Sequence, residues 1–203
     1  MTTTPDVPNL ETARLRLDPV HESDVDEIYR IYSDPEVIRY FGQDRMADIE
    51  QARFWMAVQH RMRDIGLGMT WCLREKSSGQ IIGTACFDGI NRQWHNVGIS
   101  YVIQAASWNK GFATEALDVM IKLAFSGWLG CPIHRIQALV FPENLPSHRL
   151  LKKLGFIQEG RRLGLLFWQE RYWDLDSYCL INHASNPAGR ADGPNQPDVS
   201  SAT

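Results

Sequence analysis

The chain has few cysteines, and they are far apart. Its four cysteines, Cys72, Cys86, Cys131 and Cys179, form no CxxC pair, and its six histidines form no HxxxH pair. Structural zinc sites need closely spaced ligands, and small disulfide frameworks need many cysteines in a short chain. We therefore expect no bound metal and no disulfide framework. This cysteine usage is compatible with a reducing cytoplasm.

The chain also lacks a surplus of one charge and a long apolar run. With 21 basic and 24 acidic side chains, the formal net charge is -3. Nucleic-acid binding proteins usually carry a concentrated basic face. No apolar run approaches the ~20 residues that a membrane helix requires, and residues 1–8 lack the hydrophobic stretch of a signal peptide. We therefore expect a cytoplasmic protein that binds neither nucleic acid nor membranes.

What the chain does contain suits one globular domain. Its 203 residues are 44% hydrophobic, which is enough for a sizeable core. We expect a flexible start at residues 1–8, one domain at 9–184 and a disordered tail at 185–203, since the tail is rich in Pro, Gly, Asn and Ser. Seven tryptophans indicate aromatic surface at a pocket or an interface, which allows a homodimer.

The spacing of apolar residues predicts the order of helices and strands. A helical region at 23–40 should break at Pro35, and a helix at 48–64 should bury Phe54, Trp55, Val58 and Met62. Further helices are predicted at 111–126 and 146–154, and strands at 14–17, 69–74, 80–88, 97–104, 136–141, 162–168 and 172–181. This order is typical of a mixed α+β fold, with a mostly antiparallel sheet of about seven strands and helices on both faces.

One strand leads into the most regular helix through a glycine turn. The N–H groups in the first turn of a helix have no partners within the helix, so they favour an anion. Gly111 and Ala113 would let a phosphate approach the backbone, and Lys110 adds a positive charge. From these residues alone, an ordinary strand-to-helix connection explains the glycine equally well. The turn matches neither the Walker loop nor the GxGxxG fingerprint.

The segment WNKGFATEA at residues 108–116 resembles the acetyl-CoA loop WGKGYATEA of the RimJ/RimL branch of the GNAT acetyltransferases. Two further blocks resemble the same branch. LETARLRL at residues 10–17 is similar to its opening strand, and residues 134–160 are similar to its block RIxAxVxPxNxxSxxLLxKLGFxxEG. The three blocks occur in the expected order, and the resemblance covers about residues 10–181.

The resemblance implies a GNAT fold and transfer of an acetyl group from acetyl-CoA, as co-substrate, to a primary amine. A pyrophosphate clamp is expected within residues 107–114, mainly on the main-chain N–H groups from Asn109 to Thr114. The strand at 101–103 should pair with the pantetheine arm and splay from the strand at 136–141. The implied cofactor-binding residues are Tyr101, Val102, Ile103, Trp108, Asn109, Lys110, Gly111, Phe112, Ala113, Thr114 and Asn144.

The resemblance places Ser147 near the cofactor sulfur, where its hydroxyl would protonate or solvate the leaving thiolate. A cap on the following helix is the alternative role for this serine. Many family members have a tyrosine acid four residues later, where this chain has Leu151. The glutamate that often acts as base corresponds to Gly98, so the base stays unassigned. The polar candidates for that role are Asp88, His95, Glu170 and Asp174.

The amine acceptor would be the N-terminal α-amine of a protein, as the branch suggests, or a small molecule such as a polyamine, aminoglycoside or amino-acid derivative. A third hypothesis is an acetyl-CoA-binding module without catalysis. Acidic residues such as Asp44 and Glu50 could attract a cationic amine. Its aromatic walls could come from Tyr40, Phe41, Trp55, Trp94, Phe167, Trp168 and Trp173.

Overall fold

A computed structural model describes residues 7–185. Most of the predicted flexible start and nearly all of the predicted tail lie outside the described residues. The strands are β1 (Leu10–Glu11), β2 (Leu15–Pro19), β3 (Met69–Glu75), β4 (Ile81–Asn91), β5 (Asn96–Ile103), β6 (Arg135–Val140), β7 (Ile157–Trp168) and β8 (Arg171–Ile181). The α-helices are α1 (Val25–Tyr32), α2 (Pro35–Ile38), α3 (Ile49–Asp64), α4 (Phe112–Phe125) and α5 (Leu145–Lys153). Across residues 7–185, every helix is too short or too polar to cross a membrane.

All eight strands join one sheet in the order β1-β2-β3-β4-β5-β6-β8-β7. Every neighbouring pair is antiparallel except β5 and β6, which run parallel. The mixed α+β class is confirmed, but the sheet has eight strands rather than about seven. The extra strand is β1, which has two residues and pairs Leu10 with Leu17. Two residues are too few to show the alternation by which strands are recognised.

Helices cover both faces of the sheet, and each face has its own apolar core. Neighbouring side chains of β3 show the division, because Trp71 belongs to the core under α4 and α5, whereas Cys72 belongs to the core under α1, α2 and α3. Trp71 is fully buried and meets Phe87 edge-on at 5.4 Å between ring centroids. Burial of one such side chain stabilises the fold by about 1.5–3 kcal/mol. The two cores therefore hold the sheet rigidly between helices.

The predicted buried side of α3 is wrong for Phe54 and Val58, whereas Trp55 is partly buried against the core under α1, α2 and α3. The helix buries Ala52 and Met56, whereas Phe54 is 72% exposed and Val58 is exposed as well. Ala52 and Met56 are four residues apart and so lie on one side of the helix. Trp55, three residues after Ala52, shares this side. The packing face of α3 therefore runs through Ala52, Trp55 and Met56 and leaves Phe54 and Val58 outside.

The predicted break at Pro35 is confirmed. Helix α1 ends at Tyr32, and α2 begins with Pro35 at its first position, where the missing N–H is not needed. The Asp34 side chain caps α2 by accepting a hydrogen bond from the Glu36 N–H at 3.0 Å. This second, short helix brings Tyr40 and the residue after it to the edge of β5 and β6, where the candidate site lies.

Candidate active site

Strands β5 and β6 pair over only three residues and then separate. Asn96, Val97 and Gly98 pair with residues 135–137, and no pairing of β5 with β6 follows in the described chain beyond Gly98. A cavity of about 310 Å³ lies where the strands part. The splay implied by the resemblance is therefore present. Its walls come from β5, β6, α5 and the segment after α2, including Phe41, Ser100, Tyr101, Gln137, Leu139, Asn144, Ser147 and Leu166.

The main chain of β5 offers hydrogen-bonding groups to this gap. The Gln104 N–H bonds to the Ile82 carbonyl of β4 at 2.8 Å. Because successive residues of a strand direct their main-chain groups to opposite edges, Tyr101 and Ile103 direct theirs away from β4, toward the gap. The Ile103 carbonyl already accepts the indole N–H of Trp108 at 2.7 Å. Val102 directs its main-chain groups to β4 by the same alternation, and its side chain is buried.

The turn before α4 has the geometry of an anion site. Asn109 and Gly111 have positive φ angles of 59° and 81°, and Gly111 is the residue that precedes the helix. Within residues 7–185, the main-chain N–H groups from Asn109 to Thr114 have no protein acceptor. The N–H groups of Ser107 and Trp108 do bond, to the carbonyls of Gln104 and Ala105. The N–H groups without a protein acceptor thus cover residues 109–114, a shorter segment than the predicted clamp at 107–114.

A cluster of hydrogen bonds and an ion pair, formed by Glu115 with Thr12 and Arg14 and called the clasp below, joins this turn to the start of the sheet. Glu115, in the first turn of α4, accepts hydrogen bonds from the Thr12 hydroxyl and from the main-chain and side-chain nitrogens of Arg14. Arg14 also donates to the Lys110 carbonyl at 2.9 Å and lies 4.5 Å from the Phe112 ring centroid. Partial burial of Glu115 opposes its ionisation, but these hydrogen bonds leave its pKa below the ordinary value. Sequence reasoning missed this clasp, for which the opening block containing Thr12 and Arg14 was the available signal.

The helix α5 brings two predicted residues to the cavity in different roles. Asn144 caps the helix, since its side chain accepts a hydrogen bond from the Ser147 N–H at 3.3 Å. The alternative in which Ser147 is the cap is therefore wrong, and its hydroxyl is left for another role. Leu151, at the position where many relatives have a tyrosine, is fully buried and also lines the cavity.

The hydroxyl of Tyr101 is buried in this region without a hydrogen-bond partner. The Ser147 hydroxyl lies near it without reaching good hydrogen-bond geometry, and burial raises the pKa of Tyr101 to about 12 despite that neighbour. Buried polar groups in proteins usually have partners. The Tyr101 hydroxyl beside Ser147 is therefore a donor available to a ligand in this cavity.

The four polar candidates for a base lie in different places. Asp88 lies in the cavity beside Gly98. His95 lies in the turn between β4 and β5, with its carbonyl bonded to His134 and Arg135. Glu170 lies in the turn between β7 and β8, and Asp174 accepts the Gly164 N–H at 2.8 Å. Of these candidates, only Asp88 lines the cavity.

A wider groove of about 780 Å³ adjoins the cavity and shares Tyr40 with it. Trp168 and Trp173 line the groove, and the Trp168 indole donates to Asp44 at 3.0 Å. The Arg171 guanidinium lies 3.3 Å from the Trp173 ring centroid. The remaining acceptor-site residues proposed from sequence lie elsewhere. Trp55 packs on Tyr32, Trp94 and Phe167 are exposed, and Glu50 pairs with Arg53.

Comparison with known proteins agrees with this geometry. The family model described as "Acetyltransferase (GNAT) domain" matches residues 14–157. The chain is 32% identical over 174 residues to YoaA, an uncharacterized N-acetyltransferase of Bacillus subtilis, covering 86% of this chain and 97% of the relative. The chain belongs to the GNAT acetyltransferase family, and with it to the acetyl-CoA-dependent acetyltransferases.

Two solved structures are similar in fold at low sequence identity. RimJ of Mycobacterium smegmatis, in complex with CoA-disulfide, gives a TM-score of 0.75 at 19% identity, covering 85% of this chain and 84% of that chain. Spermidine N-acetyltransferase of Vibrio cholerae, in complex with CoA and spermine, gives 0.72 at 17% identity, covering 84% and 96%. Of these two names, only the second gives an acceptor, spermidine, and likenesses at this identity support the fold and leave the acceptor of this chain open.

Proposed function

We propose that the protein acetylates the N-terminal α-amine of a polypeptide. The observation that carries this proposal is the groove of about 780 Å³, which shares Tyr40 with the cavity at the splayed strands. A groove of this size has room for several residues of an extended chain, whereas a small amine needs only the cavity. The aromatic side chains Trp168 and Trp173 offer flat apolar surface to such a chain.

The charges of the groove favour a peptide over a polyamine. Three arginines, Arg39, Arg45 and Arg171, line it together with two carboxylates, Asp44 and Glu143. The excess of positive charge would repel a polycation. A terminal α-amine has a pKa of about 7.7–8.0, well below the ~10.4 of an alkylamine such as a lysine side chain. It therefore loses its proton more readily at neutral pH than an alkylamine does.

In this proposal, acetyl-CoA lies in the gap between β5 and β6. The open N–H groups from Asn109 to Thr114 bind the pyrophosphate, and the positive end of α4 strengthens that interaction. The main chain of Tyr101 and Ile103 follows the pantetheine arm, with Asn144 on the other side. Lys110 adds charge, and the half-exposed Trp108 ring offers apolar contact. These residues, with Val102, Gly111, Phe112 and Ala113, make up the proposed cofactor-binding set.

We assign Ser147 to the departing thiolate. Its hydroxyl is not used in capping α5, and it lies beside the buried Tyr101 hydroxyl in the same cavity. A hydroxyl donor aimed at developing negative charge commonly lowers a barrier by a few kcal/mol. Substitution Ser147→Ala should therefore reduce the rate of transfer more than the affinity for CoA, and an unchanged rate would remove Ser147 from the mechanism.

A panel of acceptors tests the proposal directly. Purified protein is incubated with acetyl-CoA and either peptides with free N-termini, spermidine, an aminoglycoside or an amino acid, and free thiol release is followed. We expect turnover on peptides, with little on the small amines. Turnover confined to a small amine would favour the alternative acceptor class. CoA binding without turnover across the whole panel would favour a non-catalytic acetyl-CoA-binding module.

A further inference from the structure

The side chain of Asp88 fills a space that exists because residue 98 is glycine. Asp88 on β4 lies opposite Gly98 on β5, the last residue of β5 that pairs with β6. A Cβ atom at position 98 would lie 1.9 Å from Asp88 Oδ1 and 2.8 Å from its Cγ. A side chain at position 98 would therefore clash with the Asp88 carboxylate in its present position. The carboxylate of Asp88 thus lies at the point where the two strands begin to separate.

Nothing in the described chain neutralises this carboxylate. The residues that line the cavity include no arginine, lysine or histidine, and Asp88 is the only carboxylate among them. In residues 7–185, it forms no salt bridge. Its one hydrogen bond is from the Ser100 hydroxyl at 3.3 Å, and Ser100 contacts the Cys86 thiol at 2.8 Å.

The surroundings of Asp88 favour uptake of a proton or a cation. Desolvation raises its pKa above the ordinary value, against the lowering effect of the Ser100 hydroxyl. Asp88 is nevertheless an exposed residue, so this desolvation is partial. A carboxylate without a counter-ion beside an open cavity is suited to a cationic ligand, because an ammonium group would supply the missing positive charge.

Asp88 and the Ser147 region lie on opposite faces of the sheet. Residues 98, 100 and 102 of β5 share one face, and Val102 belongs to the core under α1, α2 and α3. Tyr101 points to the other face and packs against the core under α4 and α5. The cavity passes between these faces where the strands part. An amine can therefore approach a bound thioester from one side while the sulfur leaves on the other.

We propose that Asp88 binds the acceptor ammonium group and acts as the base of the acetyl transfer. This inference rests on the proposed function, since it requires an amine acceptor. One proton moves from the ammonium nitrogen to the Asp88 carboxylate, and the freed nitrogen lone pair forms the C–N bond with the thioester carbonyl carbon. The C–S bond then breaks. A second proton leaves the nitrogen and reaches the thiolate sulfur by way of the Ser147 hydroxyl. Asp88 finally returns its proton to water.

The substitution Asp88→Asn tests the role through its dependence on pH. A protein without the base can use only acceptor molecules whose amine is already neutral. The neutral fraction of the acceptor falls tenfold for each pH unit below the amine pKa of about 8. We expect kcat/KM to drop about 100-fold near pH 6 and about tenfold near pH 7, with little loss at pH 8. The dissociation constant of CoA should stay within about twofold, as should that of the matched surface variant Asp118→Asn.

Other titratable groups near Asp88 do not account for this profile. They are the Cys86 thiol on β4, the Tyr101 phenol on β5 and the Tyr40 phenol after α2. Burial raises the pKa of Cys86 to about 12 and that of Tyr101 to about 12. Neither titrates between about pH 6 and pH 9. A rate loss in Asp88→Asn that is equal at every pH would assign Asp88 a structural role and overturn the proposal.

A second variant and a second measurement keep the test independent of folding and of the natural acceptor. Gly98→Ala keeps the carboxylate but displaces it, so it should show the same pH-dependent loss, and full activity would contradict the proposal. In the CoA-bound protein, the Asp88 carboxyl NMR signal, identified by its absence in Asp88→Asn, should shift on adding methylammonium. An unchanged signal would refute Asp88 as the ammonium site. Wild-type protein that shows this shift but acetylates only small amines would contradict the proposed function and leave the role of Asp88 intact.

Discussion

Replacing Tyr101 by phenylalanine should stabilise the free protein. The tyrosine hydroxyl is buried without a hydrogen-bond partner, and a buried group of this kind costs about 1–3 kcal/mol. Phenylalanine keeps the ring and removes the unsatisfied donor. Taking the low end, because Ser147 lies nearby and relaxes part of the cost, we expect a gain of about 1 kcal/mol in the free energy of unfolding. In a chain of this size, that corresponds to a rise of about 2–4 °C in Tm.

Bound CoA should remove most of this stability difference. If the Tyr101 hydroxyl finds its partner on the CoA, wild-type protein gains a hydrogen bond worth about 0.5–1.5 kcal/mol that the variant cannot form. The dissociation constant of CoA should therefore be about three- to tenfold higher for Tyr101→Phe. Urea unfolding followed by tryptophan fluorescence, with and without saturating CoA, measures both quantities on one sample.

The matched control is Tyr32→Phe. Tyr32 is also fully buried, but its hydroxyl bonds to the Thr84 hydroxyl at 2.7 Å. Removing it leaves Thr84 unpaired in the core, so this variant should lose about 1–3 kcal/mol of stability, with no specific effect on CoA binding. If Tyr101→Phe were destabilised as much as Tyr32→Phe, the Tyr101 hydroxyl would already have a good partner in the free protein. The reasoning from the unsatisfied donor would then be refuted.

Three further predictions concern the loop and the two helix starts. Gly111→Ala should cost about 1 kcal/mol of stability, because Gly111 has a φ of 81° that L side chains rarely adopt. Gly111→Trp should abolish CoA binding in calorimetry and leave the circular dichroism spectrum unchanged. Unchanged affinity for CoA in Gly111→Trp would exclude this loop as the binding site. Asn144→Ala should lose about 1 kcal/mol as the cap of α5 is removed, and Asn144→Asp should keep most of it, both measured by urea unfolding. Glu115→Gln should lose about 1 kcal/mol at neutral pH. Since the folded pKa of Glu115 is lowered, its contribution is present above the ordinary value of 4.5 and lost as the pH falls through the folded value. A difference between wild type and Glu115→Gln that does not shrink as the pH is lowered below 4.5 would contradict the clasp.

The elements with regular apolar spacing were predictable from the sequence. Helix α4 was predicted at 111–126 and spans Phe112–Phe125, because its stripe at 116, 117, 120 and 121 is buried as the pattern requires. The turn before it was also recognisable, since a glycine of positive φ precedes the helix. Both features depend on residues that are close together in the sequence, so a single sequence is enough to predict them.

Features that depend on contacts between distant segments were not predictable. Asp88 and Gly98 are ten positions apart, and only the register of β4 against β5 places the carboxylate over the missing side chain. Ser147 was the cap of α5 considered from the sequence, whereas the structure places Asn144 in that role. The exposure of Phe54 and Val58 follows from the side of α3 that meets the core, which the apolar spacing did not identify.

A crystal structure of the protein with CoA would test the central claim most directly. The account predicts pyrophosphate oxygens within hydrogen-bonding distance, about 2.7–3.2 Å, of N–H groups between Asn109 and Thr114. It also predicts the sulfur in the gap between β5 and β6, beside Tyr101 and Ser147. CoA bound elsewhere, with those N–H groups facing solvent or a neighbouring side chain, would contradict the site and everything built on it.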